Sequence, residues 1–107
     1  MTNFNGMQFN KLVRDKIPEI IEKDGRTPKY HIADDAEYER ELLRKLKEEV
    51  DEYLENPSPE EMIDILEVII SIYGVKDYDK NKLEELRVKK CQERGGFFNR
   101  IILDETN

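Results

Sequence analysis

The chain contains two long segments with helical periodicity, and only residues 56–59 separate them. The earlier segment runs from a cap at Asp34 or Asp35 to about Glu55. Its apolar residues recur at three- and four-residue steps and form one stripe: Leu42, Leu43, Leu46, Val50, Tyr53 and Leu54. A connection as short as residues 56–59 predicts that the two helices form an antiparallel hairpin.

The later segment has a strong helix start and a very narrow polar face. Ser58, Pro59 and Glu61 suit the cap, first and third positions of a helix, which we expect to run to Tyr73 and stop at Gly74. Apolar residues cover most of its circumference and leave one polar stripe, made by Glu60, Asp64, Glu67 and Ser71 with Glu61 beside it. Because such a helix is usually buried by neighbours or a partner chain, we expect a homodimer or higher homo-oligomer.

Shorter elements flank these two helices. We expect a first helix to start after Asp15 and end near Lys23, and a fourth to occupy about residues 80–93. Two residues of the fourth helix are expected to face inward, Leu83 and Leu86. Residues 27–32 and 98–103 have the composition of extended segments and could pair as a small β ribbon.

The composition suits one small helical domain spanning residues 1–107. Charged residues make up 40% and hydrophobic residues 37%, which is typical of amphipathic helices with solvated outer faces. The expected fold is all-α, an antiparallel bundle of about four helices with minor extended segments.

Cys91 is the single cysteine, which favours a reducing compartment, and no apolar run could span a membrane. We therefore expect a cytoplasmic protein. His31 is the single histidine and lacks cysteine partners, which disfavours zinc.

The charge distribution is uneven. The net charge is −7, which argues against a general nucleic-acid binder, because phosphate backbones require basic surfaces. Residues 34–67 carry 14 acids and 4 bases, whereas the rest of the chain carries 11 acids and 14 bases. An acidic centre with basic flanks could hold cations centrally and contact phosphates at its edges. The simpler alternative is a soluble helix surface.

Acidic residues are concentrated where the two long helices would face each other. Glu48 and Glu49 each share a helix face with Glu52, at steps of four and three residues. The hairpin would bring four carboxylates toward one another: Glu49, Glu52, Glu61 and Asp64. These groups repel unless a hard cation lies among them, and Mg²⁺ prefers oxygen ligands.

Three of these acids also have an ordinary explanation. Glu61 suits a helix cap without any ligand. Glu48 and Glu52 could be solvated, with Arg44 and Lys45 as partners on the helix surface. The sequence pattern alone leaves both explanations open.

Four motifs in order resemble a known enzyme superfamily. Residues 9–18 read Phe-Asn-Lys-Leu-Val-Arg-Asp-Lys-Ile-Pro, and residues 90–97 read Lys-Cys-Gln-Glu-Arg-Gly-Gly-Phe. Between them, residues 48–52 read Glu-Glu-Val-Asp-Glu and residues 61–64 read Glu-Met-Ile-Asp. The acidic pair is similar to the E-E-x-x-E and E-x-x-D patterns of the all-α NTP pyrophosphatase superfamily, which includes MazG, dimeric dUTPases and phosphoribosyl-ATP pyrophosphohydrolase. The two ends resemble a small MazG-like branch described as house-cleaning pyrophosphatases.

The resemblance implies an enzyme that converts a nucleoside or deoxynucleoside triphosphate and water into a monophosphate and pyrophosphate. It implies an Mg²⁺ or Mn²⁺ site made by Glu49, Glu52, Glu61 and Asp64. Glu48 and Glu49 would be the catalytic residues, with Glu48 as a further ligand or a base that orients water. Only eight residues separate Glu52 from Glu61, which leaves less room for a substrate base than in many MazG-type proteins. Helix geometry adds Glu67 as a further candidate ligand.

Basic residues at both ends of the chain are candidates for binding the triphosphate. They are Lys11, Arg14, Lys90 and Arg94, and the alternative for each is a solvated surface charge. Gly95 and Gly96 would end the fourth helix and could let backbone N–H groups approach a phosphate. Two other functions stay open: a phosphoribosyl-ATP pyrophosphohydrolase, and a non-catalytic helical oligomer that binds nucleotides or metal.

Overall fold

The computed structural model describes residues 10–107, and this part of the chain is all-helical. Its helices are α1 (Ile17–Lys23), α2 (Asp35–Glu55), α3 (Pro59–Val75) and α4 (Lys80–Arg94), and residues 10–107 contain no β-strand. The predicted all-α fold with about four helices is therefore confirmed. Within the described range, no helix is long and apolar enough to cross a membrane. The first residue of the opening motif, Phe9, lies outside the described residues.

Side-chain caps fix the starts of both long helices. The Asp34 carboxylate accepts a hydrogen bond from the backbone N–H of Glu37 at 2.9 Å, which satisfies one free donor of the first turn of α2. The Ser58 hydroxyl accepts from the backbone N–H of Glu61 at 3.2 Å and caps α3 in the same way. Both starts agree with the sequence prediction.

The helix ends and the first helix differ in detail from expectation. α3 continues past Gly74 to Val75, because Gly74 keeps a helical conformation and does not adopt the positive φ of a helix stop. Gly95, by contrast, has a φ of 82° and does end α4. The N-cap of α1 is Lys16, not Asp15, and no side chain caps it.

The helices α2 and α3 pack against each other as an antiparallel hairpin. Their connected ends meet at residues 56–58, and at the opposite end Lys76, just after α3, forms an ion pair with Glu39 of α2. Leu42 is 2% exposed and Val68 is 8% exposed, so these two side chains form the centre of the contact. The hairpin therefore aligns the last turns of α2 with the first turns of α3.

The fourth helix leaves most of its surface exposed. Leu83 is half-buried, whereas Leu86 is 52% exposed, so the prediction that Leu86 faces inward is wrong within one chain. The whole molecule measures 62 × 31 × 23 Å with a radius of gyration of 18.5 Å. A globular domain of this length has a radius of gyration of about 13 Å. The chain is thus elongated, and α2 and α3 supply its main packed contact.

The predicted β ribbon does not form. Residues 27–32 are irregular, and residues 97–100 make a local turn closed by the backbone N–H of Arg100 and the carbonyl of Phe97 at 3.2 Å. Arg100 has a φ of 61°, which interrupts the extended backbone that a strand requires. A turn in the middle of the apolar run therefore replaces the expected strand.

Candidate metal centre

Three carboxylates from the two long helices converge beside the hairpin connection. Glu49 comes from the second half of α2, and Glu61 and Asp64 are three residues apart in the first turns of α3. Each offers one oxygen, and these three oxygens lie within 4.8 Å of one another. The antiparallel packing of α2 on α3 is what brings Glu49 opposite the start of α3.

Two of the three carboxylates, those of Glu49 and Glu61, are poorly solvated. Glu49 is only 6% exposed, although it is ionisable. One oxygen of Glu49 and one of Glu61, the Oε2 atom in each case, are buried without a hydrogen-bond partner. Leaving a buried polar group unsatisfied costs about 1–3 kcal/mol, and more for a charge. Exposed acids are common without a ligand, but two buried oxygens without partners make this cluster a candidate site for an ion or an ordered water.

The electrostatics of the cluster disfavour its charged form. Burial raises the pKa of Glu49 above its ordinary value, and the neighbouring charges of Glu52 and Asp64 raise it further, while Lys45 opposes them. Burial also raises the pKa of Glu52, with contributions from Glu61 and Glu48. A cation among these groups would favour ionisation and relieve their repulsion.

The donor set fits a small hard cation. Oxygens bound to one Mg²⁺ at its usual distance lie about 2.9 Å apart in adjacent positions and about 4.2 Å apart in opposite ones. The three oxygens lie within 4.8 Å of one another, and small rotations of the glutamate side chains can bring them to such distances. Three carboxylates without nitrogen or sulfur ligands suit Mg²⁺ or Mn²⁺ better than zinc.

The structure places the other two predicted acids at the edge of the cluster. Glu48 points toward basic side chains, with its Oε1 3.0 Å from Lys11 Nζ and 3.7 Å from Lys45 Nζ. Glu52 is exposed and lies close enough to Glu61 for the two charges to interact. Glu67 is also exposed and is not one of the three converging acids.

Lys45 belongs to the site, although the sequence interpretation had assigned this residue to the outer helix surface. Its Nζ lies 3.5 Å from Glu49 Oε1, and its side chain is only 19% exposed. It therefore neutralises part of the charge of the cluster while leaving the other oxygen of Glu49 without a partner. The four-residue step from Lys45 to Glu49 was visible in the sequence, but the burial that gives this pair its importance was not.

The two basic residues predicted from the opening motif contact acids of the cluster or at its edge. Lys11 Nζ lies 3.0 Å from Glu48 Oε1, and Arg14 Nη2 lies 2.7 Å from Asp64 Oδ1. These contacts join the segment before α1 to α2 and α3. The segment before α1 therefore places two cations beside the acids of the site.

The two basic residues predicted from the closing motif lie elsewhere. Lys90 and Arg94 are exposed on the last turns of α4, and within residues 10–107 neither makes an ion pair with the acidic cluster. Gly95 and Gly96 follow them and are likewise exposed. One chain thus assembles the acids with Lys11 and Arg14 but leaves this second basic group apart.

The positions of two surface hollows coincide only partly with the position of the cluster. A hollow of about 350 Å³ is bordered by Glu48 and Glu52 together with Arg44 and Lys47. A larger one of about 570 Å³ lies at the far end of the hairpin, near Tyr38 and Gly74. The smaller hollow shares the edge residues Glu48 and Glu52 with the site, but neither hollow is lined by Glu49, Glu61 or Asp64.

The remaining candidate groups have ordinary environments. His31 Nε2 lies 2.9 Å from Glu37 Oε1 at the exposed start of α2, away from the three acids. Cys91 is a free, exposed thiol on α4.

In the comparisons with known proteins, no family model, curated protein or solved structure matches this chain.

Proposed function

We propose that this chain is a Mg²⁺-dependent nucleoside triphosphate pyrophosphohydrolase that produces a nucleoside monophosphate and pyrophosphate. The observation that carries the proposal is the convergence of Glu49, Glu61 and Asp64, with two buried carboxylate oxygens that have no partner. The motif resemblance described above supports the same reaction. The proposal includes a cytoplasmic location, where nucleoside triphosphates are made and the single thiol, Cys91, stays reduced.

The acids would have different roles, according to their positions in the site. Glu49, Glu61 and Asp64 would hold the cation, and Glu52 would join them from the edge of the cluster. When bound, Mg²⁺ supplies charge neutralisation for the phosphate oxygens and makes a bound water more acidic. Glu48 lies outside the three converging acids, and it would accept a hydrogen bond from the attacking water and orient it toward the α-phosphorus.

Lys11 and Arg14 would bind the phosphate chain. Each is held in this structure by a carboxylate of the site, Glu48 and Asp64 respectively. When a triphosphate binds, these two cations would transfer from the carboxylates to the phosphate oxygens. That exchange keeps both cations close to the reacting group before substrate arrives, and Arg14 can donate two parallel hydrogen bonds to phosphate.

The direct experiment is a pyrophosphate-release assay on the purified chain with a panel of ribo- and deoxynucleoside triphosphates and phosphoribosyl-ATP. We expect release of pyrophosphate with Mg²⁺ or Mn²⁺ and none after chelation. Release from phosphoribosyl-ATP alone would assign the reaction to the alternative enzyme. Binding of nucleotides without pyrophosphate release from any member of the panel would contradict the proposal and favour a non-catalytic binding protein.

A further inference from the structure

An apolar segment that follows α4 is almost fully exposed among the described residues. We call residues 97–103 the C-terminal arm. Phe97 is 97% exposed and Phe98 is 100% exposed. The other apolar side chains of the arm are exposed as well: Ile101, Ile102 and Leu103. Five large apolar side chains within seven residues, all in contact with water, are an unfavourable arrangement for an isolated chain.

A second apolar surface lies on α3, away from its contact with α2. Four side chains of α3 are about half exposed or more: Met62, Ile63, Leu66 and Ile70. We call them the outer face of α3. The face that packs on α2 contains Val68 and the acids Glu61 and Asp64 instead. The outer face therefore plays no part in the hairpin or in the carboxylate cluster.

The exposed area of the chain is far larger than a monomer of this size should have. The whole chain of 107 residues exposes 9986 Å². A folded monomer of 12.8 kDa exposes about 6,300 Å². Even if residues 1–9 contributed as much as an unfolded segment of their mass, about 1,500 Å², an excess of about 2,000 Å² would remain. An obligate homodimer interface buries about 1,000–2,500 Å² on each partner, so one large symmetric contact can account for the excess.

We infer that the C-terminal arm of one copy of this chain packs on the outer face of α3 of a second copy. The two surfaces are both apolar, and both belong to every copy, so a two-fold axis lets each chain give an arm and receive one. Such an exchange closes on itself and leaves no free arm. The arm contains no proline, and it begins after Gly95, which ends α4. It can therefore extend to another copy without breaking a helix.

The inference does not depend on catalysis, because neither surface contains a residue of the carboxylate cluster. The arm would also cover the side of α3 that, from its apolar pattern, we expected to contact a partner chain. Because Lys90 and Arg94 lie on the last turns of α4, just before the arm, the exchange would place them close to the second copy.

The test is photo-crosslinking in the full chain, with benzoylphenylalanine in place of Phe98. We expect illumination to give a covalent dimer whose crosslinked peptide comes from α3, residues 59–75. Mixing isotope-labelled and unlabelled chains before illumination would show mixed dimers. Crosslinks that form only within one chain, or that map to a surface other than α3, would overturn the inference.

A second measurement uses sedimentation of the Phe97→Ser, Phe98→Ser double variant. Both side chains are almost fully exposed, so their replacement should leave the helices of the chain intact. We expect the dimer dissociation constant to rise by at least about a hundredfold, since each copy loses two buried phenylalanines from the interface. The matched control is Asp104→Ser, Glu105→Ser, just beyond the arm, which should dimerise like the wild type. A monomeric wild type at micromolar concentration, or equal dimerisation of both variants, would contradict the inference.

Discussion

Arg14 Nη2 donates a hydrogen bond to Asp64 Oδ1 at 2.7 Å, across fifty residues of sequence. The contact joins the segment before α1 to the first turns of α3 and gives one of the three converging acids a cationic partner. The pair is partly exposed, with 55% of the Arg14 side chain accessible, so it contributes little to stability by itself. Its importance is positional, because it holds a guanidinium beside the carboxylates.

Replacing Arg14 should therefore separate binding of metal from binding of substrate. In Arg14→Gln we expect the KM for the triphosphate to rise by about tenfold or more, because a charge-assisted hydrogen bond to phosphate is lost. Mg²⁺ should bind the free protein more tightly, because a competing positive charge has gone. Arg26→Gln is the control, since Arg26 pairs with Asp24 and does not touch the cluster. An unchanged KM with a lower melting midpoint would assign Arg14 a structural role only.

The three converging acids should be individually required for turnover. We expect Glu49→Gln and Asp64→Asn each to lower kcat by more than about a hundredfold, because changes outside the ligand shell already cost 10- to 100-fold. Circular dichroism should show the wild-type helix content in both variants. Glu60→Gln, on the exposed side of the same first turn of α3, is the matched control and should keep its activity. Near wild-type turnover in either variant at saturating Mg²⁺ would remove that residue from the site.

The local signals in the sequence predicted the helices and the caps of the two long helices, α2 and α3. Asp34 and Ser58 are polar residues before long periodic segments, and a cap depends only on the next three residues. The convergence of the acids was predicted from the short connection between helices. The pairing of Lys11 with Glu48 and of Arg14 with Asp64 could not be predicted, because it depends on where residues 10–16 pass over the hairpin.

The failures of prediction have a common physical cause. The apolar residue Leu86 and the arm at residues 97–103 read as buried or paired elements, because apolar patterns indicate burial without saying which surface provides it. Within residues 10–107 of one chain, no surface covers these side chains. The prediction for Lys90 and Arg94 has the same limit. Their positive charge suggested phosphate binding, but in a single copy neither residue pairs with the acids of the cluster within residues 10–107.

The metal-free protein should become more stable as the pH falls from neutrality. Burial and neighbouring acids raise the pKa of Glu49 and Glu52 above the ordinary value of 4.5, so the folded state binds protons more tightly than the unfolded state. Stability therefore rises as the pH drops through the raised pKa and levels off below about 4.5. In Glu49→Gln this dependence should shrink, which thermal melts between pH 7 and 5 would detect. Identical pH profiles for the two proteins would contradict the burial argument.

The cap of α2 should matter for stability and not for the metal. We expect Asp34→Ala to lower the free energy of unfolding by about 1 kcal/mol and the melting midpoint by roughly 4–8 °C, because the N–H of Glu37 loses its acceptor. Asp35→Ala is the comparison, since Asp35 makes no capping contact and should have a smaller effect. The stabilisation of Asp34→Ala by Mg²⁺ should equal that of the wild type. A reduced metal effect would mean that the start of α2 influences the distant carboxylates.

Thermal melting in Mg²⁺, compared with NaCl at equal ionic strength, tests the carboxylate cluster most directly because it requires no knowledge of the substrate. A cation that binds only the folded state at a hundred times its Kd adds about 2.7 kcal/mol, or roughly 10–20 °C in a domain of this size. We predict a shift of this order in Mg²⁺ or Mn²⁺, a much smaller one in NaCl, and a greatly reduced metal effect in Asp64→Asn. The metal-free midpoint of Asp64→Asn should equal or exceed that of the wild type, because removing one charge relieves repulsion. Equal shifts in the two salts, with wild type and Asp64→Asn alike, would contradict the metal site and leave only the helical fold.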